Sequence, residues 1–117
     1  MQELAPIAFV AEPQPEAALE VRVNFGIFAG RHVTNAEIDD LGRILLPEVP
    51  SVSIVSEERH EIAENAEVSL HQVRIGIATV DLPEGTDVAV LGARIATLAE
   101  GWAESCISDR HIEISEA

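Results

Sequence analysis

The run Leu19-Glu20-Val21-Arg22-Val23-Asn24-Phe25-Gly26-Ile27-Phe28 decides the fold. Leu19, Val21, Val23, Phe25 and Ile27 alternate with Glu20, Arg22, Asn24, Gly26 and Phe28, a period that gives a strand one apolar side. The other side is mixed, so the pattern predicts a central strand of a sheet covered on one face only.

Working outward toward the N-terminus, residues 1–18 read as a partly ordered arm. Pro6, Pro13 and Pro15 favour extended, solvated backbone, while Ile7–Val10 is apolar enough to dock on a surface. Residues 19–117 then make a single α+β domain.

Toward the C-terminus, Ala29–Val33 turns the chain and Thr34-Asn35-Ala36-Glu37 fits a capping box. A helix follows with Ile38, Leu41 and Leu45 on one stripe, stopped by Pro47 and Pro50. Val52, Ile54 and Val55 open a second strand reaching Arg59, and His60–Asn65 makes the turn. A third strand runs from Glu67 to Val80 with Val73, Ile75 and Ile77 on one side. The apolar register slips between Leu70 and Val73, which predicts a β-bulge near His71.

Pro83-Glu84-Gly85 ends the hairpin. A longer helix capped by Thr86 or Asp87 carries Val88, Leu91, Ile95, Leu98, Trp102 and Cys106 at helical steps. His111-Ile112-Glu113-Ile114 alternates and allows a final edge strand. The order is β-α-β-β-α with that optional last β. Two helices with one apolar stripe each cover one face of one sheet. The pattern predicts a ferredoxin-like two-layer sandwich, an antiparallel sheet with both helices on one face.

Composition narrows function. The 117-residue chain carries 21 acidic and 7 basic residues, a formal net charge of −14. Such a surface repels nucleic acid and anionic lipid, so neither is an expected partner. All basic residues are Arg, which removes lysine Schiff bases and a P-loop lysine. A lysine-free, acid-rich chain fits a salt-adapted or GC-rich genome. One cysteine, Cys106, and no apolar run long enough to span a bilayer point to a cytoplasmic protein.

Candidate chemistry is sparse. Arg31 and His32 precede the first helix, where free amides and the dipole favour an anion, and Thr34 stands at its cap. The loop Gly26–Arg31 is similar to the phosphate loop of acylphosphatases only in having Gly and Arg. The Asn that this family needs at its second strand has no counterpart in Val55–Arg59, so that assignment is rejected. His32, His60, His71 and His111 show no zinc spacing, although His60 and His71 can face one another across the hairpin. No metal, cofactor or catalytic residue is assigned.

The uncovered sheet face is the more informative feature. It is expected to carry Arg22, Asn24, Phe28, Gln72 and Arg74, with Glu57 on the second strand. Cross-strand ion pairing with Glu20 or Glu57 accounts for the two cations. A subunit interface through Asn24, Phe28 and Gln72, or an anion site at Arg22 and Arg74, is the sharper alternative. The expected function is therefore a homo-oligomeric, preferentially dimeric, binding or structural module. The alternative is a small enzyme or sensor for a phosphate or carboxylate at Arg31, His32 and Thr34, aided by Arg22 or Arg74.

Overall fold

The computed structural model describes residues 7–15, 17–26 and 33–116, without the side chains of 59, 61, 67–70 and 109–116. Four strands, β1 (Ala8–Ala11), β2 (Ala17–Val23), β3 (Ser53–Ala63) and β4 (Ala66–Ala78), form one open sheet in the order β1-β2-β4-β3. Every neighbouring pair is antiparallel. Helices α1 (Asn35–Leu45) and α2 (Val88–Glu116) complete an α+β fold compatible with two layers.

Both helices lie on one side of the sheet. Leu19, Val21 and Val23 of β2 and Val73, Ile75 and Ile77 of β4 form one buried cluster with Leu41 and Leu45 of α1 and Ile95, Ala99 and Trp102 of α2. Val21 opposes Ile75 and Val23 opposes Val73, so the two apolar stripes are in register. Helix α2 lies over β1 and β2, and α1 packs against α2. The core is aliphatic apart from Phe25 and Trp102, whose rings stack with centroids 5.3 Å apart.

Helix α1 starts where the sequence predicts. Thr34 N–H donates to Glu37 Oε1 at 2.9 Å, and Glu37 N–H donates to Thr34 Oγ1 at 3.2 Å. At α2, the Asp87 carboxylate accepts from Ala89 N–H at 3.0 Å and Val90 N–H at 3.3 Å. The turn before it uses Gly85 at φ 77°, backbone that side chains resist. The indole Nε1–H of Trp102 donates to the main-chain oxygen of Glu37 at 2.8 Å and ties the two helices together.

Three expectations change. Residues 111–114 continue α2 rather than forming a final strand. No Gly or Pro follows Gly101 to stop the helix, and the sheet edge beside β2 is already taken by β1. The N-terminal arm thus contributes a strand at residues 8–11.

Strand β2 also ends at Val23, earlier than the alternation suggests. The chain turns at residues 24–26, and Phe25 leaves the sheet to meet Trp102. Gly26 crosses so near His71 that an added Cβ would lie 2.7 Å from the His71 Cβ. Only glycine fits that crossing.

There is also no bulge at His71. Pairing of β3 with β4 runs unbroken from Ser53↔Gly76 to Ala63↔Ala66, and the register shift lies between Ala17 and Leu19 instead. Past the Val23↔Val73 pair the hairpin is a two-stranded ribbon among the described residues. There the stripe imposed by the core on Val73, Ile75 and Ile77 no longer governs the pattern. The ribbon and the 29-residue helix stretch the molecule to a radius of gyration of 15.2 Å, against about 13 Å for an ordinary domain of this length.

Candidate functional site

The side of the sheet facing away from the helices carries the alternate residues of the same strands. Arg22 opposes Arg74 in the β2–β4 register, Glu57 opposes Gln72 in the β3–β4 register, and Phe9 of β1 flanks Arg22. Two arginines directly opposite one another destabilise a sheet unless carboxylates intervene.

Carboxylates do intervene. Arg22 Nε donates to Glu20 Oε2 at 2.7 Å, and Arg22 Nη1 donates to Glu57 Oε1 at 3.3 Å. The same Glu57 oxygen lies 3.4 Å from Arg74 Nε. Arg22 Nη1 also donates to Gln72 Oε1 at 3.1 Å, and Gln72 Nε2 donates to Asn24 Oδ1 at 2.7 Å. The result is one polar band across three strands, with two positive and two negative charges.

The band is more buried than a solvated face requires. Glu20 is 0% exposed, and Asn24 and Gln72 are 5% exposed. Among the described residues, Glu20 Oε1 has no hydrogen-bond partner. A buried charge is tolerated where it is paired, and Arg22 supplies that pairing.

Four of the candidate residues, Arg22, Asn24, Gln72 and Arg74, are therefore brought together on one face. Phe28, Arg31 and His32 lie outside the described residues. Thr34 does not gather with the others: its hydroxyl and the Glu37 carboxylate already occupy amides at the α1 terminus where an anion would sit. His71 opposes Glu58, not His60, which opposes Ser69. Among the described residues no three His, Cys, Asp or Glu side chains converge as a metal site. Among the described residues no helix is long and apolar enough to cross a membrane.

The sequence reading missed the ground beside Arg74. Gln14, Ala17, Ser53, Val55, Arg74, Gly76 and Ala78 line a hollow of about 270 Å³ on the helix-free face. The signal was Gly76, a residue without a side chain inside an otherwise bulky strand. A second, larger concavity of about 590 Å³ lies between the helices, with Ile44, Leu98, Trp102 and Cys106 beneath a rim of Glu37, Asp40 and Arg43. Cys106 belongs to the buried core there, as a small hydrophobe does.

The chain matches no family model, no curated protein and no solved structure.

Proposed function

We propose that the chain is a homo-oligomeric binding or structural module that pairs two copies through the helix-free face of its sheet. The layer is read as a ferredoxin-like variant in which an N-terminal strand holds the edge position. Small domains of that architecture commonly pair their uncovered sheet faces, and that analogy supports the reading.

The observation that carries it is electrostatic. The chain bears a net charge of −14, so most approaches of one copy to another are repulsive. The Glu20–Arg22–Glu57–Arg74 band sums to zero, and Arg22 and Arg74 are two of the four arginines whose side chains are described, with Arg43 and Arg94. A two-fold axis through this band sets arginine against carboxylate in both directions. Phe9 and Val55 add apolar surface on the same side.

Light scattering on the eluting protein tests the proposal. At about 100 μM, a concentration that reveals even weak dimers, the expected mass is twice the 12.6 kDa of the chain. Val55→Glu, which adds a charge at the middle of the face, is expected to return it to monomer. A monomeric wild-type protein, or a dimer indifferent to Val55→Glu, overturns the reading.

A further inference from the structure

Arg74 is incompletely used by the ion-pair band. It meets Glu57 through Nε at 3.4 Å, and among the described residues its two terminal amino groups have no partner. Its side chain is 27% exposed, so Arg74 is partly withdrawn from solvent. Arg74 lines the 270 Å³ hollow, whose other polar lining residues are Gln14 and Ser53. Ala17, Gly76, Ala78 and Val55 supply the apolar part. A Cβ built at Gly76 meets no atom within 4 Å, so the absent side chain leaves the space open.

We infer that this hollow binds a small aliphatic monocarboxylate. A guanidinium presents paired N–H donors in a plane, and a carboxylate is the planar anion that accepts two of them side by side. At about 270 Å³ the hollow sits at the small end of ligand pockets, which suits a carboxylate with a short tail. The tail lies over Gly76 and Ala78, where apolar surface is otherwise wet. Charge selects against phosphate. A second negative charge would work against both the −14 field of the chain and the neighbouring Glu57 carboxylate. The hollow is lined by one chain, but Arg74 and Val55 also belong to the face proposed to pair two copies, so ligand binding and self-association are expected to compete.

The test is a titration of the full chain with sodium isobutyrate, followed by amide nitrogen–proton NMR. Saturable shifts are expected at Ser53, Arg74 and Gly76 with a Kd of about 1 mM, the scale available to so small a ligand. Isobutyramide, the neutral isostere, and inorganic phosphate are expected to bind at least about tenfold more weakly. Arg74→Gln removes the anchor. Gly76→Val fills the floor without altering the charge, its Cβ meeting no atom within 4 Å, and both variants are expected to lose binding. Light scattering on each variant keeps loss of binding separate from any change of mass. No saturable response to isobutyrate, equal responses to isobutyrate and its amide, or undiminished affinity in Gly76→Val overturns the inference.

Discussion

Arg22 holds Glu20 at 2.7 Å through Nε, on a face of the sheet that no helix covers, and the Glu20 side chain is nonetheless fully buried. The pair is a buried ion pair joined to a hydrogen-bond network, so its members are expected to act together. Arg22→Met strands a buried carboxylate and should cost about 3–5 kcal/mol. Replacing both residues, Glu20→Leu with Arg22→Met, should recover most of that loss. Urea denaturation of the single and double variants measures both, and equal losses would mean that the charge pairing is not what matters.

Two glycines, Gly26 in the turn after β2 and Gly76 on β4, make opposite predictions. Gly26→Ala places a Cβ 2.7 Å from that of His71 and 3.1 Å from its main-chain N and O, so it should destabilise by about 1–3 kcal/mol. Gly76→Ala meets no atom within 4 Å and should be neutral or stabilising by about 0.5–1 kcal/mol. Thermal melts of the two variants side by side check the sign of each.

Trp102 joins three things: the core, the Phe25 ring and the Glu37 carbonyl. Trp102→Phe keeps most of the apolar volume and loses the donor, with an expected cost of about 1–3 kcal/mol. Phe25→Leu keeps the indole in place and should shift its emission, since Trp102 is the only tryptophan. Fluorescence-monitored unfolding reads the second variant and circular dichroism the first.

The capping box is worth a separate measurement. Thr34→Ala removes the acceptor for the Glu37 amide and should destabilise by about 0.5–2 kcal/mol. Thr34→Asn is expected to restore most of it. Chemical denaturation of both variants distinguishes a cap from a ligand-binding hydroxyl, whose loss would leave stability unchanged.

Salt should raise stability. A chain with formal charge −14 repels itself when folded, and screening relieves this. The midpoint of thermal unfolding is expected to rise between about 0.05 M and 1 M sodium chloride, because the Debye length shrinks from more than 10 Å to about 3 Å. A fall would mean that exposed pairs such as Arg94–Glu48 and Arg43–Asp40 outweigh the net repulsion.

Much of this was readable from local chemistry. The Thr34–Glu37 box, the β2 and β4 stripes and the helical spacing from Leu91 to Cys106 each follow from short-range rules, and each reappears in the fold. The side to which Arg22 and Arg74 point follows from alternation alone. What was not readable depends on distant residues. Ile112 and Ile114 alternate like a strand, but whether an edge is vacant for them is decided by Ala8–Ala11, a hundred residues away in sequence. Val23 ends β2 because Gly26 must cross at His71, a contact that no local pattern announces. The hollow beside Arg74 is made by residues from three strands and the preceding turn, each small or unremarked by itself.

The overhanging part of the β3–β4 hairpin gives a single pair of strands two lifetimes. From Ser53↔Gly76 to Ser56↔Val73 the ladder is flanked by β2 and backed by the helical layer, so its amides exchange with solvent only when the whole body opens. From Glu57↔Gln72 outward to Ala63↔Ala66, local fraying is enough, and protection should fall steadily toward the tip. A protease that nicks the chain at residues 64–65 would then leave the body folded and held together by the inner rungs, and the two fragments would travel as one until denatured.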